Sequence, residues 1–230
     1  MNRDGLLDVA ISNLIPARLD IFINSGGLSF SGSSLPFPVN GGVTARDMNA
    51  DGITDLMAGR GQMGLNSWKS GFVDVFFGNG DGTFQPPATY TVNNGPVMVV
   101  AGDFNGDGIQ DMASGNRSTI EGCDRINNLW NSVSILLGRG DGTFEPAQSF
   151  GLGHSDEPPD IFYRGPFTRL NTSDLNGDGR TDLLASPGAI LLMQPPAENR
   201  SPVANAGPDR FEPTSFSVVL PGSATDPDTD

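Results

Sequence analysis

The stretch Asp103-Phe104-Asn105-Gly106-Asp107-Gly108-Ile109-Gln110-Asp111 decides the fold. Its pattern, D-x-N-x-D-G-x-x-D, recurs in full at 47–55 and 174–182, and a partial copy, Asn2-Arg3-Asp4-Gly5-Leu6-Leu7-Asp8, opens the chain. Apolar residues follow each copy: Val9-Ala10-Ile11, Leu56-Met57-Ala58, Met112-Ala113 and Leu183-Leu184-Ala185. A strand is therefore expected to leave every loop. Self-similarity at this spacing is the mark of a repeat architecture.

A second motif alternates with the first. Val75-Phe76-Phe77-Gly78-Asn79-Gly80-Asp81-Gly82-Thr83-Phe84 matches Ile135-Leu136-Leu137-Gly138-Arg139-Gly140-Asp141-Gly142-Thr143-Phe144, and 21–30 is a worn copy. The apolar run reads as a buried strand and the Asp-Gly as a hairpin turn, with Phe starting the next strand. Each unit then has four antiparallel strands, which describes a propeller blade. Units two and three are expected near 43–92 and 97–151. Unit one lacks its first strand, and unit four, near 167–193, lacks the Gly-Asp-Gly turn. The expected fold is all-β: a partial β-propeller of about 3.5–4 four-stranded blades over 1–194, N-terminally incomplete. A linker follows at 195–200. Residues 201–230 read as the first strands of an Ig-like β-sandwich, with one strand at 216–220.

Composition agrees with short strands joined by turns. The chain has 230 residues, with 31 Gly, 18 Pro and 37% hydrophobic residues. No apolar run is long enough to span a membrane as a helix. A net charge of −14 argues against nucleic acid as a partner. Cys123 is the single cysteine, so no disulfide forms within the chain.

The Asp loop has the chemistry of a calcium site. Calcium takes six to eight oxygens in a forgiving geometry. Positions one, three, five and nine supply side-chain oxygens. Position seven supplies a backbone carbonyl, so its side chain is free to vary. Gly at position six permits the sharp turn. The candidate ligands are Asn2, Asp4, Leu6 and Asp8; Asp47, Asn49, Asp51, Ile53 and Asp55; Asp103, Asn105, Asp107, Ile109 and Asp111; and Asp174, Asn176, Asp178, Arg180 and Asp182. About one Ca²⁺ per loop, three to four in all, is expected. No loop holds Cys or His, which argues against zinc. The EF-hand needs Glu at position twelve; Ile11, Ala58, Ser114 and Ala185 stand there instead.

On these motifs the region 1–193 resembles FG-GAP/VCBS-type repeats, the repeat of integrin α-subunit propellers and many bacterial secreted proteins. The resemblance implies a propeller with calcium in the loop between strands one and two of each blade. Ser201-Pro202-Val203-Ala204-Asn205-Ala206-Gly207-Pro208-Asp209 and Ser223-Ala224-Thr225-Asp226-Pro227-Asp228 resemble the start of a PKD-type Ig-like domain. Together these imply a secreted or cell-surface protein.

The expected function is non-catalytic binding or adhesion, with an extracellular carbohydrate or protein ligand. The alternative is the propeller portion of a secreted polysaccharide-degrading enzyme such as a lyase. Arg139-Gly140-Asp141 is explained by its hairpin turn, and His154 reads as a surface-loop residue. Strand connections alternate between the two ends of a blade. The Asp loops and Gly-Asp-Gly turns should therefore share one face. The long segments 59–71, 115–132 and 151–166 should lie on the other. These carry Trp68, Lys69, Arg117, Arg125, Trp130, Tyr163 and Arg164, the expected ligand face.

Overall fold

The computed structural model describes residues 1–39, 41–63, 68–117, 131–152, 169–186, 189–191 and 216–217. All regular structure among them is β. The strands fall into four sheets taken in chain order. The first holds β1 (Val9–Leu14), β2 (Ala17–Asn24) and β3 (Phe30–Leu35). The second holds β4 (Val43–Arg46), β5 (Asp55–Met63), β6 (Trp68–Phe76) and β7 (Ala88–Val92). The third holds β8 (Pro96–Gly102), β9 (Asp111–Arg117), β10 (Asn131–Leu136) and β11 (Gln148–Gly151). The fourth holds β12 (Arg169–Ser173), β13 (Asp182–Ser186), β14 (Ala189–Leu191) and β15 (Phe216–Ser217).

In the first three sheets, consecutive strands pair antiparallel, as a blade requires. The fourth differs at its outer edge. There β15 pairs in parallel with β14, Ala189 opposite Phe216 and Ile190 opposite Ser217. The expected strand at 216–220 is thus present as a two-residue β15 lying against the fourth sheet. The rest of the tail, 201–215 and 218–230, lies outside the described residues.

The core lies between blades, not within them. Side chains alternate across a strand, and here both faces are covered. On β5, Leu56 and Ala58 join Leu19, Ile21, Val39 and Phe76 against the first blade. Met57, between them, joins Met48, Val73, Val75, Val99, Met112 and Leu136 against the third. On β9, Met112 faces back in that cluster. Ala113 faces forward with Val100, Phe104, Val133, Ile135, Leu170 and Leu183. Strands buried on both faces read as continuous apolar runs, which is why Val75-Phe76-Phe77 and Ile135-Leu136-Leu137 show no polar alternation.

Two expectations need correction. Residues 59–71 are not one long irregular connection. Strand β5 continues to Met63 and β6 begins at Trp68, with a register shift between Gln62 and Met63. Likewise β9 runs on to Arg117, paired with Asn131 of β10. Glycine at 59 and at 71 permits close backbone approach along these strands. A Cβ on Gly71 would lie 1.8 Å from the Asn93 carbonyl oxygen, and one on Gly59 would lie 3.0 Å from that of Pro96. The second correction concerns Phe84 and Phe144. Each forms only an isolated bridge, to Gly78 and Gly138. Strand β7 starts later, at Ala88, after Gln85-Pro86-Pro87, because proline lacks the N–H a ladder needs.

Candidate calcium loops

Each loop joins the first and second strands of a blade, between β4 and β5, β8 and β9, and β12 and β13. Its shape is set by short hydrogen bonds from side chain to backbone. In the loop 103–111, Asp103 Oδ1 accepts from Gly106 N at 2.6 Å and Asp107 N at 3.2 Å. Asp103 Oδ2 accepts from Gly108 N at 2.8 Å. Asp107 Oδ1 accepts from Ile109 N at 2.7 Å, and Asn105 Oδ1 accepts from Asp107 N at 3.0 Å. The loop 174–182 repeats every one of these bonds through Asp174, Asn176 and Asp178. Such turns hold Asp and Asn in non-helical, non-strand backbone.

Two residues per loop are left-handed. Position six is always Gly: Gly5, Gly52, Gly108 and Gly179, with φ between 75° and 85°. Position four is left-handed as well, in Arg3, Ala50, Gly106 and Gly177. Sequence reading found the first and missed the second, because position four is glycine in only two of the four copies.

The carboxylate at position nine is a strut. Asp55 Oδ2 accepts from Met48 N at 2.9 Å and its Oδ1 from Gly78 N at 2.9 Å. Asp111 does the same with Phe104 N and Gly138 N, both at 2.8 Å. Asp8 accepts from Asn24 N at 2.9 Å, and Asp182 from Leu175 N at 2.8 Å. In the second and third blades this residue therefore ties the Asp loop to the turn between strands three and four and places both on one face. In the second blade, Trp68 and Lys69 open β6 at the far end of β5 from that blade's Asp loop. In the third blade, Arg117 closes β9 at its end away from the loop. Arg125, Trp130, His154, Tyr163 and Arg164 lie outside the described residues.

Charge accumulates in these loops. Asp111 is fully buried. Burial raises its pKa to about 6, against the two backbone hydrogen bonds that lower it, and the charges of Asp107 and Asp103 raise it further. Asp55 is raised by the same causes in the same order, with Asp51 and Asp47 as the repelling charges. In the loop 47–55, Asp47 Oδ2 accepts from Gly52 N at 2.8 Å, while Asp47 Oδ1 is buried with no hydrogen-bond partner. A buried acceptor left unmade costs about 1–3 kcal/mol.

Among the described residues, no three His, Cys, Asp or Glu side chains already stand together in the arrangement of a metal site. The reason is visible in the bonds. Asp51 turns Oδ1 to Ile53 N and Oδ2 to Asn49 Nδ2, so its oxygens close on the loop itself. The donor set still fits a hard cation. It is all oxygen, it is anionic, its members repel one another, and one buried oxygen is unsatisfied. The residues that would hold the ion in this loop are Asp47, Asn49, Asp51 and Asp55, with the Ile53 carbonyl.

Residues 47–114 match the family model of the FG-GAP-like repeat. The matched span begins just after β4, takes in β5 to β7 of the second blade and β8 of the third, and runs to Ser114 of β9. It holds two Asp loops and one Gly-Asp-Gly turn, and the FG-GAP-like repeat is thus built on the two motifs singled out in the sequence. No curated protein matches the chain.

Proposed function

We propose that this chain is a calcium-stabilised, non-catalytic binding module that works outside the cell. The observation that carries the reading is the buried, unpartnered Asp47 Oδ1, in a loop whose oxygens and charges recur in the other copies. The FG-GAP-like repeat supports the same reading, since the family it resembles carries calcium at this loop.

When bound, a divalent cation supplies the positive charge and the oxygen coordination that these loops lack. The protein's own residues do the rest. Positions one, three and five present oxygens from a loop already held by backbone turns. Position nine locks that loop to the neighbouring hairpin. Order in the loop is in this way passed to the blade edge, and the stacked blades hold the opposite face as a rigid platform. Long connections on a rigid scaffold are where binding resides. An extracellular carbohydrate or protein is the ligand class proposed for that face.

The test is thermal unfolding of the full chain in calcium and in chelator. A site held at one hundred times its dissociation constant adds about 2.7 kcal/mol if the unfolded chain does not bind. The melting temperature is expected to rise with calcium and to stay put with magnesium at equal ionic strength. Superimposed melting curves in calcium and in chelator would defeat the reading.

A further inference from the structure

The residue at position seven behaves differently in the fourth loop. In the second and third loops it is Ile53 and Ile109, and each packs on its own blade's turn, against Gly78 and Gly80 or Gly138 and Gly140. In the fourth loop it is Arg180, and its side chain leaves the blade. Arg180 NH1 donates to the Asn105 carbonyl at 3.0 Å. Its guanidinium lies close on Gly106, where a Cβ would stand 2.7 Å from Arg180 Cζ. Next to it, Thr181 N donates to the Asp103 carbonyl at 3.2 Å. A Cβ on Gly102 would meet the Thr181 methyl at 2.6 Å. Residues 180 and 181 of one loop thus clamp positions one, three and four of the next.

From this we infer that Arg180 couples the third and fourth Asp loops, so that filling one raises the calcium affinity of the other. The inference rests on the calcium reading above. Position seven is the residue whose backbone carbonyl faces the proposed ion in the fourth loop, while its side chain fixes the backbone of Asn105, a ligand position in the third. Ordering either loop orders Arg180, and the second loop to bind then has less left to order. The guanidinium charge is present in every state of occupancy. It lowers the intrinsic affinity of the third loop in all of them and drops out of the coupling. Arg180 is a positioning residue, not a ligand of the third loop through its side chain.

Coupling is reciprocal and commonly amounts to about 5–150-fold in affinity. The experiment is hydrogen exchange of the full chain, read peptide by peptide, across a calcium titration. The readout is the calcium concentration that half-protects the segment 103–111. In the native chain, Asp178→Ala in the fourth loop should raise that concentration at least about fivefold. In an Arg180→Ile background, which restores the residue type of the second and third loops and should fold, Asp178→Ala should have a much smaller effect, with only the Thr181 contacts left between the loops. Arg180→Lys keeps the charge without the flat fork and should lose most of the coupling. If Asp178→Ala has no effect in the native chain, or keeps its full effect in the Arg180→Ile background, the coupling is refuted while the calcium reading stands. If calcium never protects 103–111 in the native chain, the calcium reading fails and the coupling fails with it.

Discussion

Replacing Asp111 by Asn isolates the cost of burying charge in an Asp loop. Asp111 is fully buried and accepts from Phe104 N and Gly138 N. Burial raises its pKa from 3.8 to about 6, aided by Asp107 and Asp103 and opposed by those two amides. The unfolded chain therefore releases this proton near pH 4, and the folded chain holds it until about pH 6. Below pH 4 both states are protonated and the group costs nothing. As pH rises the unfolded state ionises first, so folding stability falls, and above pH 6 the loss is complete. About two pH units at 1.36 kcal/mol each gives about 3 kcal/mol. Asn cannot ionise. It offers one acceptor and turns an amide against the other N–H, a cost of about 1–3 kcal/mol that does not vary with pH. Urea unfolding of both proteins in chelator, from pH 3.5 to 7, should show the native chain losing about 3 kcal/mol relative to Asp111→Asn. Saturating calcium should shrink that loss at pH 7. A difference that stays flat, or that moves in favour of the native chain as pH rises, would refute the reasoning.

Two further substitutions test the packing of the second blade. Gly71→Ala drives a Cβ to 1.8 Å from the Asn93 carbonyl oxygen, and neither backbone can yield cheaply. It should cost about 3 kcal/mol or more, at or above the usual overpacking range of about 1–3 kcal/mol; a urea midpoint like that of the native chain would contradict the close approach. Arg60 pairs through Nε with Asp74 Oδ2 at 2.7 Å and through NH2 with Oδ1 at 3.1 Å, and Asp74 is fully buried. Arg60→Ala removes that carboxylate's counter-charge, leaving it the Thr89 hydroxyl at 2.6 Å, and should cost about 3–5 kcal/mol, with Arg60→Ala/Asp74→Ala recovering part of it; an equally unstable double variant would show that the pair's charge is not the issue.

How much of this was legible in the sequence differs from element to element. The Asp loops and Gly-Asp-Gly turns were legible because each function there needs a particular residue type. Asp and Asn side chains accept from the loop's own N–H groups, and Gly at position six meets a left-handed φ. The strands after each loop were legible from runs such as Leu56-Met57-Ala58. The full length of β5 and the start of β6 were not, because Gly59 and Gly71 carry the same local signal in a loop as in a strand pressed against other backbone. Only the neighbour's backbone distinguishes the two. The same holds for position nine. The motif marks Asp55 and Asp111 as ligands, and only the third dimension shows that their oxygens also accept from Gly78 N and Gly138 N. Arg180 was passed over because its position contributes a carbonyl, and the direction of its side chain depends on a loop 75 residues away.

The most direct measurement of the central claim is a count of bound calcium by calorimetric titration of the full chain and of Asp107→Ala. Asp107 sits at position five, exposed, so its loss should leave the blades folded while removing one central carboxylate. Three to four ions are expected for the native chain and one fewer for the variant, with the remaining sites still filling. No binding heat in either protein, or the same count in both, would show that the Asp loops are turns and not calcium sites.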